Sequence, residues 1–490
     1  MQTHRSNDRR WHALVLLLTA QFMVLIDLTI VTIAMPSIQA SLHFSRASLQ
    51  WVLGAYMLTF GGCLLLGGRA SDVFGRRRVF MTGLVIFGLG TLWCGLAGNS
   101  GELVAARALQ GIGGALFSPA ALALLTVTFS EAGERVRAMS LWSAVAAAGG
   151  ATGLVAGGLL TTGPGWRWVF WVNLPLVVAA LALAPRLLSE SGPADDGHRH
   201  LDIAGAVIVT AGLSSLIYGL TEVAMPGTGW PHFAIPIAVG GVLLIAFAVV
   251  EKGTAFPLVP FAFFTRRLPT MANWVMMAFA AAVIAMNYFV SLYIQQVLLF
   301  SPLEAGLSFV PMAASTVLVS QIAARLLPRA GMRNVLLTGL IAGAGALFWF
   351  GLLPARGSYL ADILGPAILL GASGGFIIVA VMTAAVSGVS PSEAGLAGGL
   401  INTSQQLGGA LGLAALASLA AWHTADLGGG VNPGAAALTA GFRLGLNTAA
   451  ILIVLVAVIA GVVARDRTQV APLPATGEAE VVALTGDRSE

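Results

Sequence analysis

The apolar residues of this chain neither alternate nor form one face of amphipathic helices. They come in repeated runs of about 20 or more residues, each enough to cross a bilayer core of about 30 Å as a helix. Fourteen runs are predicted as spanning helices, at 12–36, 48–67, 79–97, 103–128, 138–161, 168–187, 202–222, 233–251, 271–297, 304–327, 334–354, 360–386, 396–422 and 442–464. The short alternating segments of a membrane barrel are not seen in the pattern. The first run, from about Trp11 to Ile38, is too long for the apolar core of a secretory signal and has no small-residue cleavage site, so it reads as the first span. The expected fold is an all-α polytopic membrane protein with 14 transmembrane helices.

Composition agrees. Of 490 residues, 57% are hydrophobic and 9% charged, against about 25% charged in soluble domains. Basic residues favour the cytoplasmic side. With the N-terminus inside, twenty Lys and Arg residues fall on the cytoplasmic side and four on the other, Arg46, Arg167, Arg356 and Arg443, with Arg107 inside a span. That bias predicts an even number of spans and cytoplasmic N- and C-termini. The net charge of +4 therefore belongs to membrane topology and does not imply nucleic acid. Cys63 and Cys94 lie inside apolar runs and read as small buried hydrophobes. The polar, Pro-containing stretch after Asp466 reads as a disordered tail.

The chain repeats itself. The fourth span, "GIGGALFSPAALALLTVTFSEAG" from Gly111, and the twelfth, "GASGGFIIVAVMTAAVSGVSPSEAG" from Gly371, share a Gly-Gly pair, an apolar stretch and Ser-Glu-Ala-Gly. At a similar offset "GGRASDVFGRRRVF" (Gly67–Phe80) matches "AARLLPRAGMRNVL" (Ala323–Leu336), setting Gly75 opposite Gly331. Two six-helix bundles related by this pseudo-repeat, plus two inserted helices, account for the pattern: residues 1–187, an inserted pair at 188–260, residues 261–465, and a tail at 466–490. Parallel repeats of this kind mark secondary transporters that rock two bundles about a midplane site.

Three features carry candidate chemistry. In the loop after span two, Gly68 and Gly75 permit close approach or unusual backbone angles, and Asp72 sits beside Arg76, Arg77 and Arg78. Such a cluster can lock one arrangement of the bundle and release in another, or simply hold the loop inside; for Asp72 and Gly75 the gating role is favoured, for Arg78 the topological one. In the fifth span Gly149, Gly153 and Gly157 put small residues on one helix face, a seam for close helix packing or a direct part in coupling, and Gly158 completes the small-residue motif. The third feature is Asp27. An acid at a helix centre costs about 2.5–3.5 kcal/mol on insertion scales, so it should face the bundle interior. Arg107, near the outer end of span four, lies within roughly one or two helical turns of the same depth. Asp27 is expected to bind a proton or a cationic substrate and Arg107 to modulate it; a purely structural ion pair is the alternative. Asn287 falls within a residue of the repeat counterpart of Asp27, and Gln295, Gln296, Asn402, Gln405 and Asn447 either hydrogen-bond substrate or join helices.

The loop resembles the signature loop of the major facilitator superfamily at Gly68, Asp72, Gly75, Arg76 and Arg77. "LIDLTIVTIAMPSI", "AARALQGIGGA" (with Arg107, Gln110, Gly111 and Gly113), "GWRWVFWVNLP" and "YIQQVLLFSPLEAGLSFVP" are similar to its fourteen-helix drug/proton antiporters of the EmrB/QacA type, over about residues 10–465. The resemblance implies a bacterial cytoplasmic-membrane transporter, monomeric, that exports small hydrophobic compounds, cationic ones among them, by alternating access. Its energy source would be the proton gradient, with no other cofactor. The first and fourth helices of each half would line its cavity, where Gln110, Asn287 and Gln295 fall; Asn402 and Gln405, polar residues of the thirteenth span, are further candidate cavity residues. The family's antiporter motif in span five reads Gly-Pro-x-x-Gly-Gly; here Leu154 follows Gly153, so the proline is missing. That departure keeps a proton symporter or facilitator for a small metabolite as the alternative. Neither a phosphate loop for ATP nor a His/Cys metal cluster appears in the pattern, and no enzyme activity is expected.

Overall fold

The computed structural model describes residues 2–129, 131–190, 202–223, 229–253, 261–389, 394–427 and 434–464; the side chains of residues 2–9, 46–47, 72, part of 132–151, 203, 261–262 and 394–396 fall outside that description. The expected tail lies outside it too. The described chain is helical, in the order α1 Gln2–Leu42, α2 Arg46–Leu49, α3 Trp51–Phe74, α4 Arg76–Leu96, α5 Ser100–Thr128, α6 Ala132–Thr162, α7 Trp168–Trp171, α8 Asn173–Leu187, α9 Ile203–Glu222, α10 Trp230–Gly253, α11 Arg267–Gln296, α12 Pro302–Ser308, α13 Val310–Ala330, α14 Met332–Phe350, α15 Leu364–Val386, α16 Ala394–Asp426 and α17 Ala435–Val463. No strand occurs among the described residues.

Thirteen helical stretches among the described residues are long and apolar enough to cross a membrane, with α7 and α8, and α12 and α13, running on as single stretches. The remaining predicted span is α6. Its apolar stretch among the described residues is Thr152–Thr162, part of the segment before it lying outside that description. Near its start Glu134 lies 3.8 Å from Arg10 of α1. Beyond its end Arg167 donates to Ala97 O at the close of α4 (3.2 Å). The 31-residue helix thus runs from one end of the bundle to the other.

Local sequence sets the helix ends. Asn99 caps α5 by accepting from Glu102 N (2.9 Å), and Ser301 and Glu304 form a reciprocal capping box at α12 with Pro302 in the first turn. The α3–α4 and α13–α14 junctions turn on Gly75 (φ 97°) and Gly331 (φ 80°), which strains any residue with a Cβ. These are the two glycines that the repeat sets opposite each other. The matching extends to packing. Gly83 meets Phe117 and Gly113 of α5, and Gly339 meets Phe376 and Ile377 of α15; Gly111 rests on Tyr56 and Thr59 of α3, and Gly371 on Met312 and Ser315 of α13.

α9 and α10 pack on each other and α9 lies along α3 and α16. Buried Gln50, just before α3, donates from Nε2 to Thr221 of α9 (3.0 Å) and Ser418 of α16 (3.3 Å), joining three regions of the chain. The end of the bundle holding Gly75 and Gly331 carries Arg69, Arg76, Arg77, Arg78, Arg325, Arg329 and Arg333; it is called the arginine-rich end below.

Candidate functional site

Asp27 sits mid-way along α1 and is 0% exposed, as are Arg107 and Gln110 of α5. Three residues apart, Arg107 and Gln110 share one helix face. Two glycines bring that face close to its neighbours: Gly111 lets α5 settle onto α3 at Tyr56, and at Gly90 of α4 a methyl group would lie 2.8 Å from Gln110 N. Four helices therefore converge on Asp27.

The polar groups form one network. Arg107 Nη1 donates to Asp27 Oδ2 (2.6 Å) and to Gln110 Oε1 (2.6 Å), and its Nε donates to Val52 O of α3 (2.8 Å). Gln110 Nε2 donates to Asp27 Oδ1 (2.8 Å) and to Thr91 Oγ1 of α4 (3.0 Å). Thr91 Oγ1 in turn donates its hydrogen bond to Phe87 O (2.7 Å). The guanidinium carbon lies 4.4 Å from the centre of the Tyr56 ring and 5.8 Å from that of Phe170, so aromatic faces cover the cation. Both carboxylate oxygens face donors. An ionised carboxylate only accepts, whereas a protonated one must also donate. The network fits the ionised Asp27, and a proton there would point at Arg107 or at the Gln110 amide.

The structure thus brings Asp27, Arg107 and Gln110 together. Thr91, Tyr56 and the Val52 carbonyl complete the cluster and were not singled out from sequence, because one hydroxyl or one tyrosine in an apolar run carries no special signal. The glycine face of α6 packs on the same helix as Asp27: Gly149 on Leu25 and Phe22, Gly153 on Ile26 and Thr29, Gly157 on Ile30. Gly158 turns the other way, onto Pro302 and Leu303 of α12, and Gly306 of α12 meets the Leu154 carbonyl.

At the arginine-rich end, Arg77 donates to Glu190 (3.1 Å) and to Leu188 O (3.2 Å), and exposed Arg78 approaches Glu190 at 3.8 Å. Sequence reasoning did not single out Glu190; an acid just beyond span six, on the basic side, was the available signal. Arg76 is half-buried and partnered. A methyl group added at Gly68 would meet Pro119 at 3.9 Å, an ordinary contact, and Ser71 donates to the Gly68 carbonyl (2.7 Å). The Asp72 side chain lies outside the described residues.

The candidate lining residues do not converge. Gln110 is locked in the Asp27 network. Gln295 donates to the α1 backbone at Ile33 O (3.1 Å). Asn287 and Asn402 are half-buried, and Gln405 is exposed while its neighbour Gln406 is buried against Gly61 of α3. Among the described residues no group of His, Cys, Asp and Glu could hold a metal ion.

Known proteins agree with this architecture. The chain is 41% identical to the cephamycin export protein CmcT of Amycolatopsis lactamdurans, over 82% of this chain and 84% of that protein. It is 38% identical to the puromycin resistance protein pur8 of Streptomyces alboniger, over 97% and 95%. Among solved structures, a bacterial homologue of the human lysosomal transporter Spinster matches at a TM-score of 0.66 with 17% identity, covering 93% of this chain and 97% of that one, a likeness of fold. The Major Facilitator Superfamily profile matches residues 17–413. With that match over most of its length, the chain belongs to the major facilitator superfamily of membrane transporters.

Proposed function

We propose that this transporter exports small hydrophobic, antibiotic-like compounds in exchange for protons, working as a monomer by alternating access in the bacterial cytoplasmic membrane. The observation that carries the proposal is the Asp27 network, with both carboxylate oxygens facing donors. A proton reaching Asp27 removes the charge that holds Arg107 and places an O–H against an N–H. The network must then open, which releases Arg107 and Gln110 from α1. Deprotonation restores it. Arg107 does not lose its own proton; it is the group whose hold on α1 depends on the state of Asp27. Proton binding is thereby tied to movement of α1 against α4 and α5. The export and resistance proteins similar to this chain support the outward direction. In this reading α6 is the fourteenth span, both termini are cytoplasmic, α1–α8 and α11–α17 are the two rocking bundles, and the arginine-rich end faces the cytoplasm, with Arg77 and Glu190 as part of a gate.

A symporter or facilitator is the second reading. Leu154, where the antiporter motif has proline, favours it: α6 runs unbroken through this position. Cells overproducing the chain, challenged with dyes and antibiotics with and without a proton uncoupler, separate the readings. Export that the uncoupler abolishes is expected. Export that survives the uncoupler, or uptake without export, overturns the proposal.

A further inference from the structure

α1 carries Pro36 inside its helix. Proline has no N–H, so it leaves the carbonyl four residues earlier, Thr32 O, without its helical donor. In a membrane a carbonyl freed in this way needs another partner. Here that partner comes from the second copy of the repeat. Ser291 Oγ of α11, 1% exposed, donates to Thr32 O at 3.1 Å. Gln295, one turn further on the same face of α11, donates from Nε2 to Ile33 O (3.1 Å) and to Ser291 Oγ (3.0 Å). The two amide hydrogens and the one hydroxyl hydrogen are all used: Gln295 donates to Ser291, Ser291 donates to Thr32, and Gln295 also donates to Ile33. Such chains strengthen one another in a low-dielectric interior. One further step along, Gln296 Nε2 meets Gln39 Oε1 at 3.3 Å. All of these contacts lie on the side of Asp27 away from the arginine-rich end, from about 7.5 Å (Thr32) to about 18 Å (Gln39) along α1 at the helical rise per residue.

We infer that Pro36, Ser291 and Gln295 form a latch that closes this end of the transporter: the proline supplies a free acceptor on α1, and the two α11 side chains grip it. α1 then carries both devices, the titratable carboxylate facing α4 and α5 and the latch facing α11. When the Asp27 network opens and α1 moves, the latch must slide or let go. The inference rests on the alternating-access reading, yet its test does not require transport.

Spin labels at Gly101→Cys and Arg356→Cys, both exposed and both at the latch end in opposite copies of the repeat, report its opening by pulsed dipolar distance measurement. The full chain is used in lipid nanodiscs, in a Cys63→Ala background. Removing one interhelical hydrogen bond of average membrane strength changes a two-state ratio about threefold. Ser291→Ala is therefore expected to raise the open-to-closed ratio about threefold, and Ser291→Ala with Gln295→Leu about eightfold. Pro36→Ala gives Thr32 O a helical donor again, so adding Ser291→Ala in that background should leave the ratio unchanged. Ser291→Ala is small and Pro36→Ala removes a helix breaker, so both are compatible with folding. An unchanged ratio in Ser291→Ala/Gln295→Leu overturns the latch. So does an equal Ser291→Ala effect with and without Pro36. Lost export beside these expected distance shifts counts against the functional reading and leaves the latch standing.

Discussion

In the first copy of the repeat, Asp27, Arg107 and Gln110 meet in a fully buried network. In the second copy Asn287 stands near the place of Asp27, and the stretch matching Arg107–Gln110, from Ala367 to Leu370, has no polar side chain. The surrounding packing is alike: paired glycines at the junctions, and α4 against α5 as α14 against α15. Among the described residues, a bundle of this shape is thus built without buried charge in one copy and with it in the other. Taking two charges out of water is costly, and a buried pair is weak evidence for stability. The difference between the copies supports the proposed role of the network beyond holding helices together.

The sharpest way to break that comparison is to remove the cation. Arg107→Met leaves Asp27 buried and unpaired, and should lower stability by about 3–5 kcal/mol, read by thermal unfolding in detergent. Asp27→Leu with Arg107→Met makes the first copy resemble the second; it should recover most of that loss while transport against a gradient stays abolished. A double variant that still concentrates substrate would show the pair to be structural. The converse change, Asn287→Asp, places an acid where no arginine waits, and should reduce membrane insertion by a penalty of about 2.5–3.5 kcal/mol. Gln110→Leu copies Leu370 into the first copy and strips Asp27 Oδ1 of its donor, for an expected loss of about 1–3 kcal/mol in the same unfolding assay. Most alike should be Gly75→Ala and Gly331→Ala, each about 1–3 kcal/mol from backbone strain. Unequal losses there would mean the two junctions are not equivalent.

Much of this arrangement can be read along the chain. Span-length apolar runs, the Gly75/Gly331 match and the depth of Asp27 against Arg107 follow from periodicity and helix rise, which are local quantities. What closes the site is not local. Gln110 stood out only as a member of a motif, and its role as the bridge from Asp27 to Thr91 depends on how far Gly90 and Gly111 let three helices approach. Gln295 and Gln405 look alike in sequence. One donates to a carbonyl near Pro36, and the other points away from the core while Gln406 turns inward. A rotation of one residue about a helix axis decides between them, and no linear pattern fixes that rotation. The proline was the available clue: a proline in a spanning helix leaves an acceptor that some neighbour must satisfy. The Asp72 side chain and the tail after Asp466 lie outside the described residues, so the gating part read for that side chain and the disorder read for the tail stay as expectations.

Proton coupling through Asp27 is tested most directly in vesicles. The purified full chain, reconstituted and given an imposed pH gradient, is assayed for accumulation of a compound from the export panel, as wild type and as Asp27→Asn of matched folding. The expected result is that wild type concentrates the compound and loses it on adding an uncoupler, while Asp27→Asn only equilibrates it. An Asp27→Asn protein that concentrates the compound as wild type does would contradict the role given to this carboxylate.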